Sequence, residues 1–145
     1  MSTRAQVIVK DKWGEVWFYR HSDGYPEGAL PTLKQFLGWV KEGKIRDNCE
    51  QSAGWLILIG AMEYGTVYSY LSKGKPDRPK TIDELFTPGL DNGASDWKVG
   101  AYEPSCPREH GDIAYLYTID LDNKEITYRD ICTGKTHKVT GQRKD

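Results

Sequence analysis

The chain has little cysteine, no long apolar run and almost no net charge, and each absence excludes a class of protein. Its three cysteines form no Cys-x-x-Cys pair, so they are expected to be reduced thiols. The longest apolar run, Trp55–Ile59, is far shorter than the ~20 residues that a membrane span needs. A net charge of −1 without a long basic run argues against a protein dedicated to duplex DNA.

Motifs that would name a reaction are missing as well. The chain has no Gly-Lys-Ser/Thr phosphate loop, no GxGxxG, no GxSxG and no HExxH. Its first residues lack the apolar core of a signal peptide, which predicts a cytoplasmic protein with no membrane contact. We therefore expect no cofactor and no resident metal, and binding is favoured over catalysis.

What the chain does contain predicts a single α+β domain over residues 1–145. Five Trp, nine Tyr and three Phe supply large side chains for a core. Alternating apolar residues on either side of the turn Asp11–Gly14 predict an N-terminal hairpin. In its second strand, a period of two places Arg20 on one face with Val16 and Phe18, and Trp17, Tyr19 and His21 on the other.

Two central helices are predicted to pack against a mainly antiparallel sheet. Helical spacing begins at Pro31 and stops at Gly43, and Asp47 with Glu50 resembles a capping box for the second helix. The second helix is apolar nearly all round, which predicts a buried element, although Trp55–Ile59 also fits a buried strand. Thr66–Leu71 alternates aromatic residues and predicts a short strand.

The remaining chain predicts a surface excursion followed by more strands. Residues 72–96 are rich in Gly and Pro and are interpreted as an excursion across the surface, or a lid. Alternation then predicts strands over Asp96–Tyr102 and Ile113–Ile119. The turn at Asp122 leads from the latter into Glu125–Ile131, which gives a C-terminal hairpin. The basic stretch Lys135–Lys144 is interpreted as a solvated tail.

The stretch Tyr19–Gly28 is the most informative part of the chain, because a strand ends there in a cation, an imidazole and a carboxylate. Strand ends that open into Gly/Pro loops commonly present polar groups to ligands. A guanidinium at Arg20 or Arg4 suits a phosphate. Trp17, Tyr19 or Tyr25 could stack on an aromatic ring. The alternative is structural: Arg20 would form an internal ion pair with one of the carboxylates Asp23, Asp112 and Glu103.

Two short triplets resemble each other, His21-Ser22-Asp23 and His110-Gly111-Asp112. If the strands they flank run antiparallel in one sheet, both triplets lie at the same edge. Two imidazoles and two carboxylates there would suit a transition metal or a general acid–base pair for phosphoester hydrolysis. In the alternative interpretation each Asp caps its own turn and each His is a half-buried loop residue.

The start Ser-Thr-Arg-Ala with the run Tyr-Arg-His-Ser-Asp-Gly-Tyr-Pro at 19–26 resembles an uncharacterised family of small bacterial, prophage and phage proteins. Gly54–Ile57 and His110–Tyr117 also fit that family, and the resemblance covers most of the chain outside 72–96. The resemblance carries over no activity and assigns no catalytic residue. It implies the context of an accessory protein of a mobile element, which binds a host protein or sequesters a small signal.

Three hypotheses follow. The preferred one is a binding protein for an anionic, aromatic, nucleotide-derived ligand, held by Arg4, Arg20, His21, Asp23, Tyr25 and Trp17. The second is a phosphodiester hydrolase that uses His21 and His110 with Asp23 and Asp112. The third is a protein–protein module, with self-association as one form, whose aromatic surface contacts a host factor through Trp13, Trp17, Tyr68 and Tyr70.

Overall fold

Two helices cover one side of a six-stranded mixed sheet in this computed structural model. The structure describes residues 3–73 and 100–139, and for residues 64–73 the backbone alone. In chain order the elements are β1 Ala5–Asp11, β2 Gly14–Arg20, α1 Pro26–Lys41, α2 Cys49–Lys73, β3 Glu103–Pro104, β4 Tyr115–Asp120, β5 Glu125–Asp130 and β6 Thr136–Lys138. The strands lie in the order β3-β2-β1-β4-β5-β6. The predicted α+β fold with a mainly antiparallel sheet is confirmed.

β1 is a central strand, flanked by β2 on one side and β4 on the other. It pairs with β2 in antiparallel register and with β4 in parallel register. The turn between β1 and β2 is fixed by Asp11, whose Oδ1 accepts hydrogen bonds from the amides of Trp13 (2.8 Å) and Gly14 (3.1 Å). The predicted N-terminal hairpin is confirmed, and its first strand lies in the middle of the sheet.

The core lies between the sheet and the helices, with a smaller cluster on the opposite face. Strand residues on the face of the sheet that meets the helices, such as Val7 and Phe18, are fully buried against apolar residues of α1, such as Leu33 and Phe36. The opposite face of the sheet carries the smaller cluster. Ile8, Ile113 and Leu116 are buried there, and Trp17, Tyr19 and Ile131 pack against them. β2 is thus covered on both faces at its centre, as its alternating bulky residues predict.

α1 begins five positions earlier than predicted, at Pro26, and includes Pro31. Pro26 occupies the first helical turn, where a missing amide hydrogen costs nothing because the first four amides have no partner inside the helix. Taking Pro31 as the helix start was wrong because the residues before it satisfy the rules for a first turn equally well. The predicted stop is confirmed: Gly43 has a φ of +80°, which glycine adopts without strain.

α2 is longer and less buried than predicted. Its cap is Asn48, not Asp47: the Asn48 Oδ1 accepts from the amides of Glu50 (3.0 Å) and Gln51 (2.9 Å). Trp55 and Leu58 are 46% and 44% exposed, so the predicted burial on all sides is wrong. The predicted strand at Thr66–Leu71 is also wrong, because α2 continues without a break to Lys73.

The C-terminal hairpin is confirmed as β4 and β5, which pair from Tyr115↔Asp130 to Asp120↔Glu125. Of the predicted strand at Asp96–Tyr102, only residues 100–102 are described, and they are not in a strand. The predicted excursion at 72–96 lies outside the described residues, apart from the last two residues of α2. β6 lies within the segment that was expected to be a solvated tail. Among the described helices, none is both long and apolar enough to cross a membrane.

Candidate functional site

The candidate site lies at the end of the sheet where β2 finishes and β4 starts. Ala5 of β1 is in register with Arg20, the last residue of β2, and with Tyr115, the first residue of β4. β2 and β4 therefore run antiparallel to each other with β1 between them. The segments that carry His21 and His110 follow and precede these strands at one end of the sheet, as the two similar triplets predicted.

Tyr19 lies in contact with both of these histidines. Its hydroxyl is 3.0 Å from Nδ1 of His21, close enough for a hydrogen bond. Its ring centroid is 6.0 Å from that of His21 and 5.1 Å from that of His110. Tyr19 and His21 are two residues apart on one strand face, so their contact follows from the pleat. The contact with His110 comes from a segment about ninety positions further along the chain.

Arg4 and Asp112 form an ion pair beside this tyrosine. The Arg4 guanidinium donates to the Asp112 carboxylate over 3.0 Å, and their side chains are 39% and 54% exposed. Burial raises the pKa of the Tyr19 phenol, the Asp112 carboxylate raises it further, and Arg4 opposes both. Arg4, Tyr19, His21, His110 and Asp112 are called the Tyr19 cluster below.

Gln6 fixes the segment that carries His110, and no sequence pattern singled it out. Its side chain is fully buried within β1. The amide oxygen accepts from the backbone N–H of His110 (2.9 Å), and Nε2 donates to the Arg108 carbonyl (3.0 Å) and the Ser105 hydroxyl (3.3 Å). A polar residue inside an otherwise apolar strand is the signal that marks such a buried anchor.

Arg20 does not face the Tyr19 cluster. It is 1% exposed and lies on the helix side of the sheet, where its guanidinium binds Glu63 of α2 through two nitrogens at 3.0 and 2.5 Å. Its remaining contacts include the ring of Tyr102, with Cζ 4.9 Å from the centroid. The structural alternative for Arg20, an internal ion pair, is thus what the structure shows, but the partner is Glu63 and not Asp23, Asp112 or Glu103.

Asp23 and Tyr25 form a separate pair at the start of α1. The Tyr25 hydroxyl donates to Asp23 Oδ1 over 3.3 Å, and the Asp23 carboxylate raises the pKa of that phenol. Asp23 itself has a φ of +57°, in the left-handed region. Of the two carboxylates in the predicted triplets, that of Asp23 thus accepts from Tyr25 and that of Asp112 accepts from Arg4.

The aromatic residues considered for stacking or docking differ in exposure. Trp17 lies on the same strand face as Tyr19, half-buried in the smaller apolar cluster, and its indole N–H donates to Glu15 over 2.9 Å. Trp13 at the tip of the hairpin is 79% exposed. The side chains of Tyr68 and Tyr70 lie outside the described part of the chain.

Two clefts lined by described residues lie away from the Tyr19 cluster, and no set of metal ligands is found in that part of the chain. Residues 3–63 and 100–139 hold no group of three or more His, Cys, Asp or Glu placed to bind a metal ion. A cleft of about 390 Å³ lies at the opposite end of β1, where Asp11, Trp13 and Arg46 are among its lining residues. Another, of about 320 Å³, lies along the outer side of α1 between Pro26 and Lys34.

The Tyr19 cluster thus combines one guanidinium, one carboxylate, two imidazoles and a phenol. The guanidinium, the imidazoles and the phenol can donate hydrogen bonds to an anion and offer rings for stacking, whereas the carboxylate is paired with Arg4. Comparison of the chain with protein-family models, with curated proteins and with solved structures gives no significant match.

Proposed function

We propose that this protein is a small accessory protein of phage or prophage type that binds an anionic, nucleotide-derived ligand at the Tyr19 cluster. The observation that supports the proposal is the contact of one tyrosine ring with two imidazoles, next to an exposed arginine. By holding the ligand without converting it, the protein would sequester a host signal.

Arg4 is the residue we assign to the phosphate. Its ion pair with Asp112 is largely exposed, and such pairs contribute only about 0–1 kcal/mol. Arg4 can therefore exchange its carboxylate partner for a phosphate oxygen at little cost. Arg20, which was the first choice from the sequence, is buried against Glu63, and releasing it would leave a buried charge unpaired.

The aromatic part of the ligand is assigned to the strand face that carries Trp17 and Tyr19. Both side chains are partly buried by the small apolar cluster, which holds their rings in place. Rings that are already fixed lose little entropy when a base stacks on them, and each base–aromatic stack contributes about 1–3 kcal/mol. The imidazoles of His21 and His110 lie at the rim of this face and can hydrogen-bond to polar edges of the ligand.

The test is native mass spectrometry and titration calorimetry with mono-, di- and cyclic nucleotides. A nucleotide bound at unchanged mass is expected, and Arg4→Gln should weaken it roughly tenfold or more, since a hydrogen bond to a charged group contributes about 1.5–3 kcal/mol. Arg46→Gln is the matched control, because Arg46 lies at the opposite end of the sheet. Equal affinity in both variants would overturn the assignment.

Phosphodiester hydrolysis is the second candidate, and the pair of imidazoles on Tyr19 favours it. One imidazole would take a proton from water and the other would donate one to the leaving oxygen. In the same mass spectra this activity appears as conversion of an added cyclic or dinucleotide. It should vanish in His110→Ala while the far-ultraviolet circular dichroism spectrum stays unchanged.

A further inference from the structure

The loop that carries His21 is held from its far side by Arg20. Nε of Arg20 donates to the carbonyl oxygens of Ser22 (2.9 Å) and Asp23 (3.2 Å), the two residues that directly follow His21. Side chains alternate along β2, so Arg20 and His21 lie on opposite faces of the chain. The guanidinium thus binds the backbone of the loop from the helix side of the sheet.

Glu63 fixes the guanidinium that holds this loop. The two carboxylate oxygens accept from the two terminal nitrogens of Arg20 in a fork, a geometry that sets both distance and orientation. Glu63 belongs to α2, and its side chain is 16% exposed. The Tyr102 ring lies against the same guanidinium, and the Tyr102 hydroxyl is 2.6 Å from the Thr32 hydroxyl of α1.

The loop itself has a conformation that needs such support. Asp23 adopts a φ of +57°, which costs energy for a residue other than glycine. The following residue, Gly24, donates its amide to the Thr3 carbonyl (2.8 Å), and its own carbonyl accepts from the Tyr117 hydroxyl (2.7 Å). The carbonyls of Ser22, Asp23 and Gly24 and the amide of Gly24 are thus all hydrogen-bonded within the fold.

We infer that the Arg20–Glu63 pair is a positioning element for His21. It sets the conformation of the loop at residues 21–24, and through this loop it sets the place of the His21 imidazole against Tyr19. Because Glu63 belongs to α2, the geometry of the Tyr19 cluster depends on where α2 lies. The inference rests on the proposed function only in that His21 belongs to the proposed binding site.

The test reads the histidine rings of the free protein by NMR, in the wild type and in Glu63→Gln. The substitution keeps the size of the side chain and removes its charge. We expect the ring signals of His21 to shift, with Tyr19 following. His137 of β6, which stacks on Tyr128 of β5, should keep its signals and serves as an internal reference.

Ile126→Val is the matched control for general destabilisation. Ile126 is fully buried in β5, and removal of one methyl group from a packed core destabilises the fold without touching the loop at residues 21–24. It should leave the His21 signals in place. Unchanged His21 signals in Glu63→Gln, or an equal shift in Ile126→Val, would overturn the inference.

Glu63→Asp keeps the charge but is too short to hold the fork in place, and it covers the case in which Glu63→Gln does not fold. In that case Glu63→Asp should displace the His21 signals from their wild-type positions, and no displacement would overturn the inference. No nucleotide is present in these experiments. A wild-type protein that binds no nucleotide would remove the proposed function and leave the positioning result standing, and the reverse also holds.

Discussion

Gly28 lies against the backbone of Asp23 so closely that a Cβ added to Gly28 would be 2.3 Å from the Asp23 carbonyl oxygen. Through this contact the first turn of α1 packs directly against the loop after β2. Only glycine permits it, because no heavy atom can approach a carbonyl oxygen to that distance without a shift of the backbone. The loop next to the Tyr19 cluster and the start of α1 are therefore a single packed unit.

Gly28→Ala is expected to destabilise the protein, whereas Gly38→Ala in the same helix is expected to stabilise it. At Gly38 an added Cβ meets nothing within 4 Å, and alanine is favoured over glycine in a helix by about 0.5–1 kcal/mol. Urea unfolding of the two variants should move the midpoint in opposite directions. A similar change of the midpoint in both variants would show that the close contact between Gly28 and Asp23 does not determine the effect of the added methyl group.

Arg20→Met should cost far more stability than the same change at an exposed arginine. It leaves Glu63 without its partner in a largely buried position, and breaking a buried ion pair costs about 3–5 kcal/mol. Arg129 pairs with Glu109 at 2.6 Å but is 39% exposed, so Arg129→Met should cost about 1 kcal/mol or less. Chemical denaturation measures both, and equal losses would contradict the contrast in burial.

The stabilisation that the Asp11 carboxylate gives to the fold should be lost in acid. Its pKa is lowered by hydrogen bonds from the amide of Cys49 above all, and then from those of Trp13 and Gly14, which outweigh desolvation. A pKa below that of the unfolded chain means that the carboxylate stabilises the fold above about pH 4, and that this contribution is lost as the pH falls through the folded-state pKa. The unfolding free energy of the wild type should exceed that of Asp11→Asn near neutrality, and the difference should shrink in acid. A difference that does not change with pH would contradict this account.

Tyr19→Phe should weaken ligand binding while the fold stays intact. The change removes the hydroxyl that contacts His21 and keeps the ring that contacts His110. The hydroxyl holds the His21 imidazole, so its loss should weaken the hydrogen bond from that imidazole to the ligand by at most about 0.5–1.5 kcal/mol, or several-fold in affinity, measurable by calorimetry with the best nucleotide. Tyr128→Phe is the control, since Tyr128 stacks on His137 elsewhere in the sheet. The same affinity in both variants would remove Tyr19 from the site.

Local patterns predicted those parts of the fold that depend on neighbouring residues. Alternation in β1 and β2 fixed their faces, and the turn at Asp11 fixed their pairing. The start of α1 was misplaced because two prolines, Pro26 and Pro31, both fit a first turn. The partner of Arg20 could not be found in the same way, since Glu63 is forty-three positions away on a helix whose contacts depend on the whole fold.

The sequence predicted that the two histidines lie at one end of the sheet, but not which side chains surround them. His21 and His110 were brought together by a topological argument about strand direction, which the sheet satisfies. The partners of the two carboxylates depend on loop geometry: Asp23 has a φ of +57° and its carboxylate accepts from Tyr25, whereas the Asp112 carboxylate accepts from Arg4. The role of Gln6 could not be predicted, because its contacts form only when the segment before β4 is folded over β1.

The central position of β1 has a consequence for how the chain reaches this structure. Its pairing with β2 involves residues that are close in sequence, but its pairing with β4 joins Ala5 to Tyr115 and Lys10 to Asp120. Closing so long a loop carries a large entropic cost before any contact forms, which slows folding. Until β3 and β4 have been synthesised, a hairpin of β1 and β2 has no partner on either edge, and an unpaired strand edge can pair with the wrong strand.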